Sequence, residues 1–374
     1  MPSVDLPDIP RIVSVDDHVI EPHDVWQDRL PRHLRDRGPR LVRERVSLDY
    51  TGGVYSFRRD DPDGEWCDVW LYDDLAYPTS RLMAAAGFDR SEVTNRAVTY
   101  DDMRKGCWDQ AARLADMDAN HVEASLCFPT FPRFCGQHFL EYGDRELGLA
   151  CVRAYNDWMI EEWCGGDGAG RLVPLTLVPL WDAHAAADEV RRCAAAGSHA
   201  VTFSENPTKL DLPSIHSGHW EPFLGACADT ETVINMHIGS SSSMPSTSAD
   251  APAAVASALT AQNAQGSLAD WLFAGVFVRH PDLRIAYSEG QIGWMPYLLE
   301  RMDTVWRENS AWGGVNLPNP PSSYVPGHVY GCIFDDPHGL ACRDIIGMDL
   351  ILFETDYPHA DSTWPDSRDV AARI

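Results

Sequence analysis

The sequence predicts an α/β fold, a parallel (β/α)8 barrel of the TIM class with an inserted lid segment after strand 1. Three observations carry that prediction. Eight short runs rich in β-branched residues recur along 374 residues, and loops and helical patterns separate them. That alternation builds parallel β-α units, and a barrel of about 250 residues with insertions accommodates the length. No repeat of 20–50 residues competes with this reading, which excludes solenoids and propellers.

The runs fall at residues 12–18, 122–128, 172–178, 200–203, 232–238, 283–289, 329–334 and 350–356. Helical patterns lie between them at 109–117, 146–163, 181–196, 222–228 and 294–306, the third closed by Gly197. Two stretches break the rhythm. Residues 27–99, rich in Arg, Asp, Gly and aromatics, read as the lid over the barrel mouth, and the Ser/Ala/Pro-rich residues 240–264 read as a mobile loop. Long segments of this kind often cover active sites. The whole chain, 1–374, reads as one domain.

Composition narrows the function. Hydrophobic residues make up 44% of the chain, enough for a large core, so wholesale disorder is excluded. Thirty Lys plus Arg against 56 Asp plus Glu leave a net charge of −26. Nucleic-acid and anionic-membrane surfaces need clustered cations, so neither is an expected partner. A small anionic substrate remains open. The start, MPSVDLPDIPR, lacks the basic and apolar regions of a secretory signal, and no run of ~18 apolar residues spans a bilayer. Ten cysteines without a CxxC pair read as reduced thiols, which suggests a cytoplasmic protein.

Chemistry-bearing residues gather where the runs end. Run one ends in Asp16-Asp17-His18 and run five in His237-Ile-Gly-Ser. Run six ends in Ser288-Glu289-Gly290 and run eight in Asp356-Tyr-Pro-His359. In a β/α barrel these C-terminal strand ends converge on one rim. Strand alternation puts Asp16 and His18 on one face and Asp17 on the other. With His237 and Asp356 they form a set of two imidazoles and two carboxylates. Such a set suits one divalent ion such as zinc, manganese or iron, with an open position for water or substrate.

Other residues are weaker candidates. Glu21 is a candidate to orient His18 or to contact substrate, and His359, His219 and Trp70 are candidates for substrate contact. His216, Glu205, Arg133 and Arg301 are rim candidates, and Trp66 and Tyr72 join Trp70 as lid aromatics. Nucleotide-binding and nucleophile-elbow motifs are absent: there is no GxGxxG, no Walker Gly-Lys-Ser/Thr, no HExxH and no GxSxG.

Four segments together resemble the amidohydrolase-2 branch of the amidohydrolase superfamily. They are Asp16-Asp-His-Val-Ile-Glu-Pro22 with Trp26, Met236-His-Ile-Gly239, Ser288-Glu-Gly-Gln-Ile-Gly-Trp-Met-Pro-Tyr297 and Glu354-Thr-Asp-Tyr-Pro-His359. The branch comprises distorted (β/α)8 barrels and includes aminocarboxymuconate-semialdehyde decarboxylase and the resorcylate-type decarboxylases. The resemblance runs from about residue 12 to about 365.

It implies one divalent metal, zinc or manganese, held by Asp16, His18, His237 and Asp356. Asp16-x-His18 is similar to the Glu-x-His of the resorcylate-type enzymes. Asp356 also handles protons. The sixth-strand position, a histidine in the semialdehyde decarboxylase pattern, is Glu289 here, which makes Glu289 and Asp356 the catalytic pair. Two enzyme readings share these residues: decarboxylation of a small unsaturated or aromatic acid without an organic cofactor, and hydrolysis of an ester, lactone or amide by a metal-activated water. A third reading is a binding or scaffold barrel without catalysis. Only 18 residues follow Asp356 (374 − 356), where relatives usually add a final helix, and relatives are commonly dimers, so a homo-oligomer is expected.

Overall fold

The computed structural model describes residues 8–51 and 54–374. Strand β1, Ile12–Val19, is followed by four antiparallel strands: β2 (Arg40–Thr51), β3 (Val54–Arg59), β4 (Glu65–Tyr72) and β5 (Leu75–Pro78). The parallel strands then resume as β6 (Val122–Pro129), β7 (Leu172–Val173), β8 (Leu175–Thr176), β9 (Ala200–Thr202) and β10 (Val233–His237). The last three are β11 (Ile285–Ser288), β12 (Val329–Ile333) and β13 (Ile351–Phe353).

Every one of the eight runs forms a strand, and strand order follows chain order. β1, β6 and β7 form one parallel sheet, and β8 through β13 form another. The third run is split into β7 and β8 by Pro174, which has no N–H to give to a ladder. Beyond β13 the chain bonds back to β1, with Asp356 N donating to Asp16 O (2.9 Å) and His18 N to Tyr357 O (2.7 Å).

Helices flank the strands near their expected positions. Gln110–Ala119, Arg145–Trp158 and Ala183–Ala195 each begin at an aspartate whose carboxylate accepts a backbone N–H of the first turn: Asp109, Asp144 and Asp182. Residues 240–264 only begin as a loop. Helices Ala253–Leu259 and Ala261–Phe273 occupy the rest, because an Ala-rich stretch favours helix. Among the described residues, no helix is long and apolar enough to cross a membrane.

The 27–99 segment carries the antiparallel sheet in the order β3-β2-β4-β5. The chain after this sheet reaches the loop beyond β13: Ala85 N and Ala86 N donate to Pro358 O (2.7 and 3.1 Å), and Ala360 N donates to Leu82 O (2.9 Å). Two candidates from this region take structural places instead of lining a pocket. Trp70 is 2% exposed and sits between Trp26 (5.3 Å) and Phe131 (4.9 Å); its alternation on β4 turns it into the aromatic core, together with Tyr72. Trp66, at the start of β4, is 54% exposed. Glu21 does not orient His18. Its carboxylate accepts Thr130 N and Phe131 N (2.9 Å each) and so latches the turn after β6 to the end of β1.

Two outcomes follow from these placements. Trp70→Ala should lower unfolding free energy by about 3–5 kcal/mol, read by urea denaturation; a loss below 1 kcal/mol would contradict its core position. Burial pushes the Glu21 carboxyl up from 4.5 to about 7, although its two backbone N–H bonds pull the other way. An acid whose folded pKa lies above its unfolded value loses stability as pH rises through that window. Relative to Glu21→Gln, the unmodified protein should therefore lose roughly 3 kcal/mol between about pH 5 and 8. A pH-independent difference would refute this.

Candidate metal centre

Strand β1 delivers its polar residues through an irregular register. Ser14 pairs with Ser125 and Asp17 with Cys127, so three steps on β1 face two on β6. One extra residue on one strand is a bulge, a device that re-aims side chains. Asp16 and His18 are buried together, whereas the Asp17 carboxylate is taken up by Ser14, Ser125, Thr355 and the Tyr357 backbone. His237 ends β10. Glu289 and Asp356 lie just past β11 and β13, both with left-handed backbone (φ 54° and 53°). Non-glycine residues hold such a conformation only where the surroundings impose it, and such residues cluster at functional sites.

The donor atoms converge. His18 Nε2 lies 3.3 Å from His237 Nε2, 3.6 Å from Asp16 Oδ1 and 3.4 Å from Asp356 Oδ1. His237 Nε2 lies 3.5 Å from Asp16 Oδ2 and 3.3 Å from Glu289 Oε1. Asp16, His18, His237 and Glu289 thus have donors within 4.8 Å of one another, as do His18, Glu289, Asp356 and His359. Two donors about 2.1 Å from one tetrahedral ion stand roughly 3.4 Å apart. The observed spacings match that edge.

Hydrogen bonding and electrostatics agree with the spacing. His237 Nδ1 is 2.6 Å from Ile238 O, so it carries the proton and leaves the Nε2 lone pair facing His18. Both oxygens of Asp16 and both of Asp356 are buried and accept no hydrogen bond. Buried carboxylates of this kind are paired or coordinate metal. Burial raises the Asp16 carboxyl well above its usual range, with Glu354, Glu289 and Asp356 adding to it. Burial raises Asp356 to about 7, against the pull of His359. His18 is held well below the usual imidazole range by burial, then by His359 and His237. Burial works to raise Glu289, yet His237 and His359 hold it well below the carboxylate range. The donor set fits a divalent cation, whose charge would draw all these carboxyls down.

His359 joins the cluster from the rim. Its ring stacks on His18 (3.5 Å, 21°), and its Nδ1 lies 3.0 Å from Asp356 Oδ1. Burial disfavours its charge, but Asp356 and Glu289 outweigh that and push it to about 10. It is 17% exposed and Glu289 16%, so these two mark the side that solvent reaches.

Other candidates stand apart from this cluster. His219 is exposed against Trp220 (4.9 Å), and His216 pairs with Asp270 (3.0 Å). Arg301 is exposed, and Arg133 is half-buried with Ser242 Oγ at 3.3 Å. Glu205 has a supporting place: its Oε1 accepts from Gly239 N (3.0 Å), Ser241 Oγ (2.8 Å) and Asn263 Nδ2 (2.8 Å), which fixes the turn after His237.

Two contributors escaped the sequence reading. Glu354 is fully buried and accepts Glu289 N (3.1 Å); alternation with Asp356, two residues on, was the available signal. Phe134 stacks on His237 (4.0 Å, 13°) from the loop after β6. No spacing rule reaches across that loop.

A family model described as amidohydrolase, Amidohydro_2, matches residues 54–374. No curated protein matches the chain. An amidohydrolase from Mycobacterium avium subsp. paratuberculosis superposes with TM-score 0.68 at 20% identity, over 98% of this chain and 93% of that one. The 5-carboxyvanillate decarboxylase of Novosphingobium aromaticivorans, solved with manganese and 4-hydroxy-3-methoxy-5-nitrobenzoic acid, gives 0.62 at 16%, over 97% and 89%. A 2,6-dihydroxybenzoate decarboxylase from Rhizobium gives 0.54 at 22%, over 71% and 86%. At such identities these neighbours speak for the fold, while the match over most of the chain speaks for the lineage: the protein is an enzyme of the Amidohydro_2 family of amidohydrolases.

Proposed function

We propose that the enzyme is a cation-dependent carboxy-lyase that removes the carboxyl group of a small aromatic or unsaturated acid without an organic cofactor. The observation that carries this is Asp356: a buried carboxyl whose Oδ1 lies 3.0 Å from His359 Nδ1 and 3.4 Å from His18 Nε2. The aromatic-acid decarboxylases among its structural neighbours support the same reading. It takes the parallel strands as one closed, distorted barrel, which the bonds between residues 356–357 and β1 support. Residues 27–99 are its lid, a role supported by the contacts of 82–86 with 358–360. A homodimer in the cytoplasm belongs to the same reading; the ten cysteines, all free, suit a reducing compartment.

Asp16, His18 and His237 would hold the cation, with Glu289 and Asp356 closing the set. Zinc or manganese there supplies positive charge for the substrate carboxylate and a neighbouring oxygen. The reaction itself falls to the chain's own acids. Asp356 gives its proton to the carbon bearing the carboxylate. The C–C bond then breaks, its electron pair returns to the unsaturated system, and CO2 leaves. His359 hands Asp356 the replacement proton from solvent, and Glu289 holds His359 in place. Phe134, half-buried against His237, offers a flat apolar surface for a planar acid.

Metal-stripped protein given manganese at a hundredfold excess over Kd should gain about 2.7 kcal/mol of stability. His237→Ala should abolish that gain in thermal melts. Asp356→Asn should lower CO2 release from a hydroxybenzoate panel by about 10²–10⁴-fold while the protein stays folded. Full activity in that variant would overturn the mechanism. Acid release from aryl esters or lactones, with no CO2 from any acid, would replace it by hydrolysis.

A further inference from the structure

Asp17 lies between two of the proposed ligands yet faces away from them. Its Oδ1 accepts from Thr355 Oγ1 (2.5 Å), Tyr357 N (3.0 Å) and Ser14 Oγ (3.1 Å), and its Oδ2 accepts from Ser125 Oγ. Thr355 and Tyr357 flank Asp356 in the chain, so one carboxylate holds both neighbours of the proposed acid. Ser14 adds a second tie through its Oγ, which accepts Thr355 N (2.9 Å). Beneath it, buried Arg113 donates to His18 O (2.5 Å) and Gly106 O (2.7 Å), with its guanidinium 4.4 Å from the Tyr357 ring. Asp17 therefore accepts four hydrogen bonds, all from fixed groups of β1, β6 and residues 355–357.

We infer that Asp17 is a positioning residue that sets the distance between the β1 donors, Asp16 and His18, and Asp356. The reasoning is geometric. Asp356 has left-handed backbone three residues beyond a three-residue strand, so no ladder holds it. The loop at 359–363 bonds to Thr355 O and Asp356 O, but the bonds that tie residues 355–357 to the β1 donors run to Ser14, Asp16, Asp17 and His18, and Asp17 supplies the side chain that grips both sides of Asp356 at once. Losing that grip frees Asp356 from the cluster without removing any donor. The inference rests on the proposed cation-binding role of these residues.

The test is manganese titration of metal-stripped protein by calorimetry, with thermal melting of each stripped variant as a fold control. Asp17→Ala should weaken manganese binding 10–100-fold, the usual effect of deleting a group that orients ligands. Asp17→Asn keeps an accepting oxygen toward Thr355 and Tyr357, and the Ser125 hydroxyl can turn to accept, so it should bind within about threefold of the unmodified protein. A merely structural role would not give that rescue. Equal binding by Asp17→Ala, or equal loss by Asp17→Asn, overturns the inference. If Asp17→Ala does not fold, Thr355→Val decides: weakened manganese binding supports positioning, and unchanged binding overturns it. If the unmodified protein takes up no manganese, the proposed function falls and this inference with it. If it binds manganese normally and so does Asp17→Ala, only the inference falls.

Discussion

Like charge packed out of water is the constraint on which this structure turns. Asp16, Glu289, Glu354 and Asp356 share one buried region with His18 and His237. At an effective dielectric of about 20, two carboxylates 4 Å apart repel by about 4 kcal/mol. Several such pairs would exceed the margin that keeps an ordinary domain folded. His359 offsets part of this from the rim, and Arg113 lies on the far side with Asp17. The remaining negative charge calls for protons or a cation. The convergence of two imidazoles and three carboxylates at spacings of 3.3–3.6 Å favours the cation.

Much of this was legible in the sequence because strand ends are legible. β-branched runs located all eight parallel strands, and a period of two separated Asp16 and His18 from Asp17. Six of the eight strands end one to three residues before the runs do. Glu289 and Asp356 therefore lie past the ladders with positive φ, a conformation that no periodicity announces. Glu289 also contributes more than a partner to Asp356, since its carboxylate faces His237 at 3.3 Å.

The misplacements share a cause. Trp70 and Glu21 look functional by residue type and nearness in sequence, whereas their roles depend on contacts far along the chain. Trp70 meets Phe131, and Glu21 meets the backbone of residues 130 and 131. An aromatic in a polar insertion and an acid three residues past a ligand look functional locally. Both were claimed by the packing between β1, β4 and the loop after β6. The helix at 253–259 was hidden for a different reason: Ser and Pro in the first half of that stretch masked the helix propensity of the second.

The first strand shows how one segment meets two demands. A strand that only bound a cation would leave its outward residues free, and one that only joined its neighbours would need no carboxylate facing inward. Here alternation assigns Asp16 and His18 to the centre and Asp17 to the seam with residues 355–357, and the irregular register after Ser14 brings Ser14 to that seam as well. The bulge between Ser14 and Asp17 lets the two sets coexist, since it shifts the register against β6 while the seam bonds stay short. The same few residues therefore hold both the donors and the frame that spaces them. A change on either face of β1 is felt on the other, which is the physical reason the polar residues of this strand act as a unit.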